Sequence, residues 1–492
     1  MNSKPRVRFA PSPTGYIHIG NLRTALYVYL YAKKYNGIFY IRVEDTDQKR
    51  IVPDALQKVF ESLDWAGLEH DEGVFVDDAG NVTEKGEYGP YIQSRRLEIY
   101  QKYAHQLVKE GKAYYCFCTP ERLDSLRAIQ EQAKLAPAYD KLCLHTISRE
   151  VAEEKVKNGE KYVIRFDVPE TGETEFEDAV RGEMKFSNKN LDDFVLLKSD
   201  GYPTYHLAHV VDDHLMKTTV VIRGEEWLPS APKHILLFQA FGWDPPQYAH
   251  LSTILNKNTK KKLSKRDGDV SVEDFRTKGY LPEAVVNFIA LLGWNPKTER
   301  EIFSLDELAK EFDVAKLNKS GAIFDLEKLD WMNGMYIREK DIKELAELCR
   351  PYLEKYKEKF SDDYLRKIVA VERERMKKLS DIAENTEFYF SAPEYDPKIL
   401  KWKNISDGDL KKSLEKSLEI FSRIDEKNWE LEKIKSELMA SADPTNRGEL
   451  LWPLRVALTG KEKSPSPWEV AWVIGRKESL NRIKRSIEIV QS

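Results

Sequence analysis

Cysteine is scarce. Four in 492 residues cannot build a disulfide framework in a chain of this length, so packed cores must hold the fold and a reducing cytoplasm is the expected compartment. Long hydrophobic runs are missing too. The longest, Ala284 to Trp294, is interrupted by Asn287 and Gly293, and a bilayer span needs about 20 apolar residues; no membrane association is expected. The opening MNSKPRVRFAPSP has no apolar segment of the kind a secretory signal carries. Neither charge dominates: 78 Lys and Arg against 82 Asp and Glu leave a formal net charge of −4. An RNA-binding surface would therefore be a local basic patch and not a global field. There is no internal repeat, no extended low-complexity segment, and neither GxGxxG nor GxxxxGK[ST], which removes the main support for a dinucleotide or P-loop site.

The residues that are present allow several cores under a strongly solvated surface: 41% are hydrophobic and 33% charged. At roughly 100–200 residues per domain, three or four domains are expected. Lys4 to Ala10 alternates like a strand and runs into Pro11-Ser12-Pro13-Thr14-Gly15, a sharp loop. Asn21 to Tyr35 reads as a helix, Gly37 to Val43 as a second strand, and Pro53 to Leu63 as another helix with proline in its first turn. This rhythm predicts a parallel sheet with crossover helices. From Tyr115 to about Asn190 charged helical segments mix with short strand-like pieces such as Tyr162 to Phe166, which reads as an insertion. The parallel pattern is expected to resume at Asp193 to Leu197 and Thr219 to Ile222, followed by a helix from about Pro232 to Phe241. Beyond about Asp330 nearly everything reads as helix rich in Lys and Glu.

Two short motifs carry chemistry. His18-Ile19-Gly20-Asn21 follows the Pro/Gly loop and opens a helix. Free N–H groups and the helix dipole favour an anion there, Gly20 lets a nucleotide come close, and His18 can donate to a phosphate oxygen without adding a fixed charge. Lys262-Leu263-Ser264-Lys265-Arg266 places flexible ammonium groups in a loop, suited to the changing charge of a departing pyrophosphate. Each motif alone is weak. As a pair they resemble the HIGH and KMSKS signatures of class I aminoacyl-tRNA synthetases, with Asn21 and Leu263 as departures tolerated in the glutamyl branch. The segments RFAPSPTGYIHIGNLRTAL, IRVEDTD, YIQSRRLEIY, LLKSDGYPTYHLAHVVDDHLM, VIRGEEWL and FDLEKLDWMNGMYIR then make the chain similar to the bacterial-type glutamyl-tRNA synthetases, in family order across residues 8 to 338.

The resemblance implies an α/β fold: a Rossmann-like parallel-sheet catalytic domain (1–115 and 191–255), an inserted α+β acceptor-binding domain (116–190), a stem-contact region carrying the KLSKR loop (256–330) and an all-α anticodon-binding half (331–492). It implies an aminoacyl-tRNA ligase that uses ATP with Mg²⁺, L-glutamate and tRNA(Glu), acting as a monomer. His18, Lys262 and Lys265 would be catalytic. Gly20, Glu226, Trp227 and Leu255 would join His18 and both lysines around ATP. Glutamate has two carboxylates and one ammonium, so its pocket needs two cationic forks and one anion. Arg8 and Arg223, at predicted strand ends, and Glu44, closing IFYIRVE, have that character. By resemblance Ala10, Ser12, Tyr205 and His209 complete the pocket, His209 replacing a frequent Asn.

Cys116 and Cys118 are followed, after 24 residues, by Cys143 and His145. Two close ligand pairs brought together by a loop could hold a structural Zn²⁺. Cys349 is expected in a helical core. For RNA, the last helix, Gly475 to Gln491, offers Arg476, Lys477, Arg482, Lys484 and Arg485 opposite Leu480, Ile483, Ile487 and Val490, and Arg375 resembles an anticodon-reading arginine. The helical C-terminal half argues against a glutaminyl enzyme and against the short relatives that lack an anticodon-binding domain.

Overall fold

In the computed structural model the described residues are 4–264 and 270–491; Lys265 and Arg266 lie outside them. The chain divides into two compact units, Met1–Phe275 with Val285–Asp325, and Arg276–Ala284 with Leu326–Ser492.

The first unit is built on an eight-stranded sheet. Its strands are β1 (Arg6–Phe9), β2 (Ile38–Ile41), β3 (Glu72–Val76), β4 (Val82–Lys85), β7 (Glu173–Asp178), β8 (Gly182–Ser187), β10 (Val220–Gly224) and β11 (Gln247–Leu251). They lie in the order β4-β3-β2-β1-β10-β11-β7-β8. The six inner strands are parallel and the two edges antiparallel. The central strands are apolar with little alternation, as strands covered on both faces must be: Val7, Phe39, Tyr40, Ile41, Val221 and Ala249 are all fully buried. Helix Ile19–Lys34 connects β1 to β2 and buries Leu22, Ala25, Leu26 and Leu30. Parallel strands put their C-terminal ends on one edge, where ligands of open α/β sheets gather. Arg8, Arg223 and His250 all lie near those ends.

Three antiparallel strands, β5 (Ala113–Cys116), β6 (Val163–Phe166) and β9 (Val195–Leu197), form a separate small sheet, and β12 (Ile254–Asn256) pairs with β13 (Ala322–Phe324). Two sequence expectations change here. The run at Asp193 to Leu197 does not resume the parallel sheet; its strand pairs antiparallel with β6. The β7–β8 hairpin, read as insertion, instead extends the main sheet through β7 and β11. Short apolar runs carry no label for the sheet they join, so periodicity could not settle either point.

The second unit is helical, and its core includes Leu345, Leu353, Ile368, Val369, Phe421, Leu454, Val470 and Ile483. Cys349 is fully buried in it. No helix among the described residues is long and apolar enough to cross a membrane. The final helix, Arg476–Gln491, keeps only part of the basic face expected of it: Lys477, Lys484 and Arg485 are exposed, but Arg482 and Arg476 are not part of that face. Arg482 is 4% exposed and donates to the carbonyls of Phe388 (2.7 Å) and Leu458 (2.6 Å), and Arg476 donates to Ile424 O (2.7 Å). Both side chains tie helix ends together.

This core also holds a carboxyl group. Glu372 is 1% exposed and accepts a hydrogen bond from Tyr389 Oη at 3.0 Å. Burial, against weaker help from Tyr389 and Arg375, pushes its pKa up to about 7. The folded state thus holds the proton more tightly than the unfolded chain. The resulting stability is full below the unfolded value of 4.5 and is lost as pH rises through about 7. Thermal melts of the helical unit should therefore weaken from about pH 5 to pH 8. Glu372→Gln should flatten that slope and gain about 2–3 kcal/mol over the parent chain at pH 8.

Candidate active site

His18 caps helix Ile19–Lys34, and its Nδ1 accepts the backbone N–H of Gly20 at 3.1 Å. The backbone thereby fixes the tautomer: the ring proton sits on Nε2. His18, Gly20, Asn21, Thr24, Glu226, Leu251, Ile254, Lys262 and Ser264 line a single cleft of about 190 Å³. The lysine-rich segment is pinned on both sides. Leu263 N donates to Ile254 O (2.8 Å), Leu255 bridges Lys262, and Ile19 N donates to Val270 O (2.9 Å). Two motifs about 240 residues apart in the chain thus share one cleft. Leu255 itself does not line it. Its side chain lies against Gly321, because a strand alternates its faces, and its neighbour Ile254 turns toward the cleft instead.

Asn21 and Glu226 also line a second cavity of about 120 Å³, walled by Arg8, Ala10, Glu44, Tyr205, Arg223 and Trp227. A larger cavity of about 820 Å³ adjoins it at Ala10, Glu44, Tyr205 and Trp227, with Ser12, Lys49, Arg50 and Lys198 on its wall. Trp227 is 39% exposed and lies tilted against Tyr205, ring centroids 4.3 Å apart, so it is a wall of the site and not a core aromatic.

The charges of the smaller cavity divide unequally. Arg8 Nε and Arg42 Nη1 both donate to Asp213 Oδ1 (3.1 and 2.7 Å), and Arg42 Nη2 donates to Glu44 Oε1 (3.0 Å). Burial works against the charged form of Arg8, but Asp213, Tyr205 and Glu44 together leave its pKa raised. Burial raises the pKa of Glu44 while Arg42 opposes the rise. Two guanidinium groups therefore face two carboxylates. Arg223, 4% exposed, is different: it donates to His250 Nε2 (3.0 Å), Tyr205 Oη (2.9 Å), His234 Nδ1 (3.3 Å) and the carbonyl of Trp227 (3.4 Å). Every one of these acceptors is neutral, and among the described residues no carboxylate lies within ion-pair distance of Arg223. Burying a cation without a counter-ion costs several kcal/mol (order of magnitude), which an incoming carboxylate would recover.

Comparison with known proteins agrees with this geometry. Residues 4–331 match the family described as tRNA synthetases class I (E and Q), catalytic domain, and residues 344–487 match an anticodon binding domain. A glutamate–tRNA ligase of Finegoldia magna is 46% identical over 494 residues, covering 99% of each chain. One from Clostridium botulinum is 47% identical over 498 residues, covering 100% of both. The crystal structure of a glutamate tRNA ligase from Elizabethkingia meningosepticum in complex with its amino acid superposes with a TM-score of 0.89 at 38% identity, covering 99% of this chain and 100% of that one. The chain belongs to the glutamate–tRNA ligase family. It is accordingly an aminoacyl-tRNA ligase with a Rossmann-like class I catalytic core and a helical anticodon-binding domain.

Within this family member, three further expectations can be placed. His209 is fully buried and lines none of the three cavities. Its Nδ1 takes a hydrogen bond from Arg8 Nη2 (3.3 Å) and its Nε2 faces Tyr248 Oη (3.3 Å), so it acts on Arg8 from behind the pocket. The cysteines do come together. Cys118 Sγ lies 3.5 Å from Cys143 Sγ, and Tyr139 Oη lies 3.3 Å from Cys116 Sγ and 3.4 Å from Cys118 Sγ. The bond from Cys143, against the cost of burial, lowers the pKa of the Cys116 thiol. His145 is not in this cluster. It is exposed on helix Leu142–Thr146, two residues past Cys143, and such positions face different sides of a helix. Arg375 is exposed, just beyond helix Asp362–Glu372. Sequence reading missed Arg42, Asp213, His234, His250 and Asp178. The i, i+4 spacing of Tyr205, His209 and Asp213 on one helix face was a usable signal for Asp213.

Proposed function

We propose that the chain activates L-glutamate with ATP and transfers it to the 3′-terminal adenosine of tRNA(Glu). The single observation that carries the reading is the buried Arg223 with neutral acceptors only. Its Nη2, together with the Tyr205 hydroxyl proton, makes a two-point receptor for the side-chain carboxylate, with Arg8 behind it. The side chain of glutamate keeps its charge throughout the reaction, whereas the α-carboxylate gives its charge up on forming the mixed anhydride. A permanent buried cation is therefore matched to the side chain. Glutamine would leave Arg223 facing a neutral amide. Glu44 takes the α-ammonium, Ala10 and Ser12 border it, and the α-carboxylate points toward the cleft of His18.

Catalysis in this reading is positioning plus electrostatics. The His18 Nε2 proton holds a phosphate oxygen, Gly20 lets the phosphates come close to the backbone, and Lys262 and Lys265 follow the charge onto pyrophosphate. The α-carboxylate attacks the α-phosphorus, giving glutamyl-adenylate. The 2′-hydroxyl of the terminal adenosine then attacks the adenylate carbonyl. Leu251 and Ile254 supply the apolar surface for adenine expected of Leu255, and Trp227 closes the side. Glu226 is an acidic group on the cleft wall, which suits an Mg²⁺ held mainly by the nucleotide's phosphates. The larger cavity, with Lys49, Arg50 and Lys198, suits the entering RNA end, and the exposed Arg375 suits an anticodon base. Activation waits for bound tRNA.

Three thiols and a phenol also suit a structural Zn²⁺. Tetrahedral Zn–S bonds of about 2.3 Å place sulfurs about 3.8 Å apart, close to the 3.5 Å between Cys118 and Cys143. Tyr139, and not His145, would be the fourth ligand, which would leave no open position for chemistry.

ATP–pyrophosphate exchange should proceed with glutamate, not glutamine, and only with tRNA present; exchange with glutamine and none with glutamate would reject the reading. Arg223→Gln should cut kcat/KM for glutamate by about 30- to 100-fold, about 2–3 kcal/mol, with KM for ATP unmoved. Lys265→Ala should lower kcat at least about tenfold; an unchanged kcat removes its assigned role. Metal analysis should find about one zinc per chain, lost on Cys118→Ser and weakened on Tyr139→Phe but retained on His145→Ala.

A further inference from the structure

The group that aims Arg223 lies outside every cavity of the site. β10 and β11 are parallel neighbours, with Arg223 and His250 in register, and β7 follows on the far side of β11 with Asp178 opposite Tyr248. The strands thus set a buried line of three side chains: Arg223 Nε donates to His250 Nε2 at 3.0 Å, and His250 Nδ1 meets Asp178 Oδ2 at 2.6 Å. Their exposures are 4%, 0% and 1%. Arginine has only donors, so His250 Nε2 must accept and the ring proton must be on Nδ1, donated to Asp178. Asp178 is locked in turn: its Oδ1 accepts the backbone N–H groups of Val180 (3.0 Å) and Arg181 (2.9 Å).

Resting on the reading of Arg223 as the carboxylate receptor, we propose that Asp178 and His250 are positioning residues for glutamate recognition. A carboxylate in direct contact would orient Arg223 equally well but would also neutralise it, as Asp213 does for Arg8. The imidazole separates the two functions. It fixes the direction of Nε with a neutral acceptor, while Asp178, one side chain further away, fixes the imidazole's tautomer. The guanidinium is held in direction and its charge stays available to substrate.

Asp178→Asn tests this with little change of shape. The amide oxygen keeps the backbone N–H groups of Val180 and Arg181, so the amide nitrogen must face His250 Nδ1. A donor there forces the ring proton onto Nε2, against the N–H of Arg223. In the tRNA-dependent exchange assay, KM for glutamate should rise about tenfold or more, with KM for ATP within about twofold and a smaller change in kcat. His250→Leu reads the line from its other end and should raise the glutamate KM at least as much. Adding Asp178→Asn to His250→Leu should cost nothing further, because Asp178 acts through the imidazole. Folded Asp178→Asn or His250→Leu protein with an unchanged glutamate KM overturns the proposal. So does additivity in the double variant, or an equal loss for glutamate and ATP, either of which marks a merely structural pair. Arg223→Gln, measured in parallel, separates the two readings. If it too leaves the glutamate KM unmoved, the receptor assignment fails; if it alone raises that KM, only the positioning role fails.

Discussion

A buried guanidinium that touches only neutral groups is the constraint around which this protein is arranged. Such a cation is unfavourable in the resting protein, and it persists because the sheet surrounds it with acceptors it cannot avoid. Arg223 enters from the C-terminal end of β10, His250 from the adjacent strand in the same register, and Tyr205 and His234 from helices Tyr205–Leu215 and Ala231–Phe241. Among the described residues its hydrogen-bond acceptors are two imidazoles, a phenol and a carbonyl, and its guanidinium lies over the Tyr248 ring. Nearby, Arg8 and Arg42 are balanced by Asp213 and Glu44. The pocket thus contains one cationic group that a ligand must complete, beside an anionic group suited to an ammonium.

The nucleotide cleft follows a different logic. Here the chain uses backbone more than charge: a helix start, a histidine whose tautomer is set by Gly20, and a loop pinned to the preceding strand and to the first motif. Because Asn21 and Glu226 line both cavities, the two substrates would meet on shared walls under the proposed assignment. That is the geometry a reaction needs when the enzyme forms no covalent bond of its own and gains rate by orientation and preorganised dipoles.

Much of this was readable in the sequence, for identifiable reasons. Arg8, Glu44 and Arg223 follow apolar strand runs, and strand ends in parallel sheets are where ligands collect. His18 and Lys262 stand in motifs whose pairing is more specific than either alone. What escaped depended on three dimensions. His209 sits in a motif segment, but its turn of the helix faces inward onto Arg8, and it lines none of the three cavities. His145 follows Cys143 too closely to share its helix face, while Tyr139, four residues before Cys143, reaches the thiols. Asp178 lies in a segment with the spacing of an insertion, and only the strand pairing reveals that it belongs to the central sheet. Arg482 and Arg476 looked like part of a solvated basic face because composition does not tell which cations are consumed by helix-end carbonyls.

The most direct test of the account is a crystal structure of the protein with glutamate bound. The account predicts the side-chain carboxylate between Arg223 Nη2 and Tyr205 Oη, with the α-ammonium at Glu44 and the α-carboxylate facing the cleft of His18. A glutamate whose side chain lies elsewhere, with Arg223 still bonded only to His250, His234, Tyr205 and the Trp227 carbonyl, would contradict it.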